Sequence, residues 1–449
     1  MTRRKFCALA PAALVAGREA EDEYGGRTVH QLGAKGRFRV EQWRNGHWLV
    51  TPKGHPLSVA GLCHAQMPPP EMRVPGDSTT QKFGNDPQRY ARDVVEWMRS
   101  AGFNTFSYGV PAGAEQDMNR MAELGLVPGF INGPKFPDFF DPAWRAEAAT
   151  KIARLAPVAA RDPRVIGYVL SNPLLFSPQM ERPGIWRNGA VKRQNYMMAV
   201  RSLPAGAPAK QAYVEYLRRT YQTADAYARR RNAPAATRSF DDLLSQDLAV
   251  SDDYLALHPD DARFYTHMWN DLTSFFVKEI RKHDPAGLIF SYRFIRVLTW
   301  PDPWLDAMLA GVGPHVDAFA VELYSDNPYR AAIDGIGKQT GKPALILDGM
   351  RKLEFVYSDQ ADDRQEAEEY ERMYRALLAS PWFLGSCVCE YRQKLPGNPE
   401  YSPRPKEGRL GVRNADYTER APILAAFRKL HFSRYALRTD ALGRLTSRP

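Results

Sequence analysis

Short apolar runs alternate with amphipathic stretches along most of this 449-residue chain, and that alternation limits the fold more than any other feature. From position 57 the runs read "LSVAGLCHA", "FNTFSYG", "LVPGFIN", "VIGYVLSN", "LIFSYRF", "VDAFAVELY", "PALILDG" and "FLGSCVCEY". Between them, "DPQRYARDVVEWMRSAG" carries apolar residues at helical spacing and stops at Gly102, a glycine helix end. Further helices are predicted over "AEQDMNRMAELG" (114–125), 142–161, 328–340 and 361–380, with a long one in "DARFYTHMWNDLTSFFVKEIRKHDP". Strands alternating with helices pair in parallel through right-handed crossovers. Eight such units, with no G-x-G-x-x-G after the first strand, predict an α/β fold: a (β/α)8 TIM barrel in preference to an open doubly wound sheet.

Ahead of the barrel (54–432), "FRVEQWRNGHWLV" reads as a β-hairpin within 28–53. An insertion at about 177–258 separates the fourth and fifth strands. Its "APAKQAYVEYLRRTYQTADAYARRR" is helical with Tyr and Leu on one face, and "SFDDLL" reads as a capped helical turn. The insertion is expected on the C-terminal rim, and 433–449 is expected to be a tail.

Residues 1–22 open with a twin arginine (Arg3, Arg4), an apolar Ala/Leu stretch and small residues. That is the plan of an export signal of the twin-arginine type, which places the protein in a bacterial periplasm or outside the cell. No apolar run reaches 18 residues, so no membrane insertion is expected. Of the four cysteines, Cys7 lies in the leader; Cys63, Cys387 and Cys389 cannot all pair and read as buried thiols. The net charge of +10 is spread along the chain, without a nucleic-acid module. The excess suits an acidic or sulfated polysaccharide, or serves solubility alone.

Several phrases occur together in an order that resembles agarase-like glycoside hydrolases and their bacterial β-galactosidase barrel relatives. "HWLVTPKGHPLSVAGLCHA" is similar to the strand leading into such barrels. "AKQAYVEYLRRTYQTADAYARRRNAPAATRSFDDLL" resembles their shared insertion. "KPALILDGM" and "PWFLGSCVCEYRQK" resemble their seventh and eighth strands, and "GRLGVRNADYTERAPILAAFRKLH" their closing helix. The similarity covers about 30–432. It implies a retaining mechanism with two carboxylates, an acid/base Glu after an Asn on strand four and a nucleophilic Glu ending strand seven. Asn172 matches the Asn, but Pro173 stands at the acid/base position and Asp348 at the nucleophile position.

Three readings follow. In the first, a hydrolase of an oligo- or polysaccharide uses Asp348 as nucleophile or base, with Glu322 or Glu390, at the ends of strands six and eight, as partner acid. His64, Tyr108, Asn132, Asn172, Arg293, Tyr324, Tyr391 and Arg392 are candidate sugar contacts. Trp186, Trp269, Trp300, Trp304 and Trp382 include possible stacking platforms for pyranose rings; Trp269 reads as core, and Trp300 and Trp304 in "LTWPDPW" are better placed for a groove. In the second reading, loss of the proton donor leaves a carbohydrate-binding barrel. In the third, His64, Asp348 and Glu390 converge on a metal in a hydrolase or lyase, although no ligand spacing supports it. The favoured reading needs no cofactor and no metal.

Overall fold

The computed structural model describes residues 20–127, 137–171, 196–231, 239–246, 257–295, 302–324, 329–350, 362–395, 397–398 and 411–445. Nearly all of the expected leader, and Asn132, Asn172, Pro173, Trp186 and Trp300, lie outside them.

Strands β1 (Arg39–Trp43) and β2 (Gly46–Val50) form the expected hairpin, paired from Arg39↔Val50 to Trp43↔Gly46. Arg44 and Asn45 link them at φ of 48° and 61°. Two left-handed residues in a two-residue loop are what a type I′ turn requires, and Asn tolerates that conformation best. β3 (Pro56–Leu57) extends this antiparallel sheet.

Eight parallel strands then close a ring: β4 (Val59–Leu62), β5 (Thr105–Phe106), β6 (Asn119–Glu123), β7 (Val165–Val169), β8 (Leu288–Ile295), β9 (Ala318–Leu323), β10 (Ala344–Gly349) and β11 (Phe383–Val388). The last strand pairs back onto β4, so the predicted (β/α)8 barrel forms. Val59, Met121, Phe290, Ala320, Leu345 and Leu347 point into it. Residues of opposite parity, such as Ala60, Leu62, Tyr168, Val321 and Ile346, pack under the helices. Burial on both faces explains the near-continuous apolar runs. Phe38, Leu49 and Leu57 join the interior cluster, so the small sheet stoppers the N-terminal end.

The third strand departs from expectation. Residues 119–123 lie in "AEQDMNRMAELG", read as a helix because Met118, Met121 and Leu124 repeat every three residues. Instead Asn119–Glu123 pairs with β5 and β7. A period of two decides it: Asn119 and Met121 are buried while Arg120 and Ala122 are half-covered. Asn119 Nδ2 donates to the carbonyls of Tyr24 (2.7 Å) and Asn104 (3.1 Å), which seats a polar residue in the core. Pairing continues through the amides of Leu124 and Leu126 onto Val169 and Leu170. The expected strand "LVPGFIN" therefore begins at the rim, and from residue 128 it lies outside the described residues.

In the insertion, helices Tyr196–Arg201, Pro208–Thr220 and Ala224–Arg231 precede the short turn Asp242–Ser245. Ser239 and Asp242 cap it reciprocally, Ser239 N to Asp242 Oδ2 at 2.7 Å and Asp242 N to Ser239 Oγ at 3.2 Å. The expected tail instead opens as helix Arg434–Gly443. Arg438 stacks its guanidinium over Trp48 at 4.7 Å and donates to the His47 carbonyl at 2.9 Å, clamping this helix onto the hairpin.

Trp269 is core as expected, but so is Trp304, which is fully buried and packs edge-on against Tyr265. It is not a groove platform. Asp302 caps the first turn of helix Pro303–Val312 by accepting from Trp304 N, and this capped turn draws the indole inward. Trp304→Ala is expected to cost about 3–5 kcal/mol in denaturant unfolding. A loss under about 1 kcal/mol would place the indole elsewhere. No described helix is long and apolar enough to cross a membrane.

Candidate functional site

Barrel chemistry belongs at the C-terminal strand tips. Strict alternation along β10 sends Ile346 toward the helices, Leu347 inward and Asp348 outward again. A register shift against β9 between Ile346 and Asp348 inserts one residue, and Asp348 also turns into the barrel. Gly349 follows at φ 127°, where an added Cβ would lie 1.9 Å from the Leu323 carbonyl oxygen; only glycine fits there. A second shift, between Phe290 and Arg293 on β8, brings Arg293 inside. Glu322 needs no such device, because it shares the inward parity of Ala318 and Ala320 on β9.

These residues form one cluster. Tyr108 Oη donates to Asp348 Oδ2 and Tyr324 Oη to Oδ1. The Cys63 thiol reaches Oδ1 at 3.5 Å. Arg293, buried, stands 3.9 Å from Asp348 Oδ2, 3.7 Å from Glu322 Oε2 and 3.5 Å from Glu123 Oε1. Its guanidinium covers the Tyr108 ring at 4.0 Å. The pairs are loose. Arg293 Nε and Nη1, Glu322 Oε2 and Glu123 Oε1 are buried atoms without a hydrogen-bond partner. Buried polar groups are normally satisfied, so these atoms are open to a water, an ion or a ligand.

Burial raises the Asp348 carboxyl to about 7, against the lowering effect of the Cys389 and Cys63 thiols. Burial likewise lifts Glu322 to about 7, opposed by Arg293 and assisted by Glu123. Glu123 is also raised, by burial. Two inward carboxyls on neighbouring strands thus change charge near neutral pH, as acid–base work requires.

The other expected residues divide. His64 lies in the left-handed region at φ 50° and packs edge-on against Tyr108, 4.5 Å between centroids. Burial, with Lys394 and Arg293 nearby, pushes its pKa down to about 3, so it is neutral and orients rather than shuttles a proton. Glu390 is buried and ion-paired to Lys394 at 2.9 Å; with His64, Gln66 and Arg392 it lines a cavity of about 50 Å³ beside the cluster. Arg392 itself is anchored on Asp77 at 2.8 Å and lies over Tyr417. Tyr391 faces outward, bonded by Arg413 (2.6 Å) and to Asp93 (3.2 Å). The structure therefore gathers Asp348, Glu322, Arg293, Tyr108 and Tyr324, keeps His64 and Glu390 alongside, and sets Tyr391 and Arg392 in supporting ion-pair networks.

Glu123 belongs to the cluster and went unread in the sequence; the alternation Asn119, Met121, Glu123 was the signal, masked by the helical spacing of the methionines. A cavity of about 530 Å³ opens instead among Phe38, Arg39, Arg281, Asp317 and Lys342 at the N-terminal end. It contains none of these carboxyls. Among the described residues the cluster suited to a metal is Cys63, Asp348 and Cys389, not His64 with Glu390.

No protein-family model matches the sequence, and no curated protein matches it either. Solved structures do. An exo-β-agarase superposes with a TM-score of 0.75 at 15% identity, over 94% of this chain and 68% of its own. The agarase AgWH50C gives 0.69 at 16% identity, over 94% and 68%. A β-galactosidase from the psychrophilic Marinomonas ef1 gives 0.54 at 13%, over 88% and 62%. At these identities the likeness is one of fold: the chain has the barrel that these carbohydrate-active enzymes use.

Proposed function

We propose that the protein cleaves a glycosidic bond in an oligo- or polysaccharide, with Asp348 as the ionised nucleophile or base and Glu322 as the acid. The observation that carries this reading is the pair itself: two inward carboxyls, register partners on adjacent strands, both lifted to about 7 and spanned by one guanidinium. Their surroundings assign the roles. Asp348 is met by hydroxyl and thiol donors, which favour its charged form. Glu322 Oε2 accepts no hydrogen bond, so its proton is available to a leaving oxygen. Glu390 suits the acid role less, since it is already ion-paired to Lys394.

In this mechanism the unpartnered Arg293 and Glu123 atoms bind sugar hydroxyls and fix the ring over Asp348. Glu322 protonates the departing oxygen while Asp348 attacks the anomeric carbon or activates a water on the opposite face. A second reading, sugar binding without hydrolysis, draws support from the two tyrosines that already occupy both Asp348 oxygens. Reducing-end release from agars, carrageenans, galactosides and acidic polysaccharides separates them. Hydrolysis requires turnover of at least one glycan, whereas binding with no product on any of them supports the second reading. The neighbours' agarase and galactosidase activities order this panel, and the basic chain (pI about 9.3) adds the acidic members. An export leader at 1–22 fits a polymer substrate too large to enter a cell; recovery of the native chain in the cytoplasm alone would remove that part.

A further inference from the structure

Two of the three barrel thiols stand at the seam where the first and last barrel strands meet. Cys63 and Cys389 continue the β4–β11 register one residue past Leu62↔Val388, and the Cys63 amide still bonds the Val388 carbonyl at 3.1 Å. Both side chains are buried, carry no disulfide and hydrogen-bond to one another. The Cys63 Sγ, the Cys389 Sγ and an Asp348 oxygen all lie within 4.8 Å of one another, with Cys63 Sγ to Asp348 Oδ1 at 3.5 Å. A tetrahedral ion with metal–sulfur bonds near 2.3 Å and a metal–oxygen bond near 2.1 Å spaces its donors by roughly 3.5–3.8 Å. Three donors at the ends of three different strands (β4, β10, β11) thus stand within about an ångström of the spacing of one tetrahedral face.

We propose that Cys63, Cys389 and Asp348 form a site for a thiophilic divalent cation of the zinc or cadmium class, and that its occupation switches the barrel off by taking Asp348. Thiolate with carboxylate selects such ions over magnesium or calcium. Binding displaces the two thiol protons to solvent, so the dication with two thiolates and one carboxylate carries one net negative charge. Arg293, 3.9 Å from the same carboxylate, offsets that charge. Burial pushes the Cys389 thiol up to about 11 and the Cys63 thiol well above its ordinary range, so without metal both stay protonated and leave Asp348 available. Cys387, two residues back on the same inner face, bonds Ser107 and is not among the three donors.

The inhibitory consequence rests on the hydrolase reading; the binding does not. Chelator-treated protein titrated with Cd²⁺ is expected to take one ion per chain and develop the ultraviolet thiolate-to-cadmium charge-transfer band. Cys63→Ala and Cys389→Ala should each lose the band and weaken binding by roughly two orders of magnitude, while Cys387→Ala keeps both. Cys63→Ser and Cys389→Ser, checked by circular dichroism, replace any alanine variant that fails to fold. No band in the wild type, or a band that survives both seam substitutions, overturns the site. Should the metal-free protein hydrolyse glycans yet show no band, this proposal alone falls; a band with no hydrolysis under any condition sinks only the hydrolase reading.

Discussion

Asp348→Asn is expected to leave the barrel closed and to reduce glycoside hydrolysis by about 10²–10⁴-fold. The amide keeps the shape and can accept from one tyrosine while donating to the other, but it supplies neither nucleophile nor base. The same substitution should stabilise the protein above neutrality. In the folded state burial holds the Asp348 carboxyl at about 7, against 3.8 for the exposed group. Between those values the native chain binds more protons than the unfolded one, so stability falls as pH rises from about 4 to 7. At 1.36 kcal/mol per pKa unit the upper limit is about 4 kcal/mol, and relaxation around the charge brings it to a few kcal/mol. Chelator-treated Asp348→Asn should therefore match wild type near pH 4 and exceed it at pH 8. Glu322→Gln should behave the same way, for the same cause. Stability traded for function at a working site is a general pattern. His64 and His431, both held neutral by burial with pKa values near 3, act in the opposite sense: their contribution is lost as pH falls from 6.5 toward 3. Equal stability curves for wild type and both variants from pH 4 to 8 would mean that neither carboxyl is held near neutrality.

Arg293→Met should be the most damaging single change. One buried cation faces Glu123, Glu322 and Asp348, all within 4 Å. Removing it leaves three buried acids without the cation they share, a situation that costs about 3–5 kcal/mol when the acids are ionised. The loss should be largest at pH 8 and shrink below about pH 6, where the carboxyls take up protons and repulsion ends. Activity should vanish with the ring-orienting donors. Arg293→Lys keeps the charge but not the planar fork, so it should recover much of the stability and little of the turnover. An Arg293→Met protein as stable as wild type at pH 8 would show that the three acids do not share this cation.

The barrel was legible in the sequence because its signal is redundant. Eight apolar runs separated by amphipathic stretches survive one misassigned segment, and the error at 119–123 left the strand count and the closure intact. That segment failed because its methionines fit a helical repeat while pairing with two neighbouring strands, invisible in the sequence, imposed a period of two. Trp304 failed for a related reason: a Pro-rich loop suggested exposure, but the Asp302-capped turn carries the indole into the core. At the site, strand-end position identified Asp348, Glu322 and Arg293 as residues worth noting. It did not give their convergence, because two of the three turn inward only through register shifts on β8 and β10. Tyr391 and Arg392 sat equally close to a strand end, yet bonds to Asp93 and Asp77 anchor them elsewhere. Position along a strand is written locally, whereas the partner that fixes a side chain lies hundreds of residues away.

The pH dependence of kcat/KM on the best glycan of the panel, compared between wild type and Glu322→Gln, tests the paired-carboxyl claim most directly. A bell-shaped wild-type profile is expected, with its alkaline limb near 7 set by loss of the Glu322 proton. Glu322→Gln should lower the rate by at least about 10²-fold and erase that limb. A variant that keeps both the wild-type rate and the alkaline limb would contradict the account, because the proton would then come from another group.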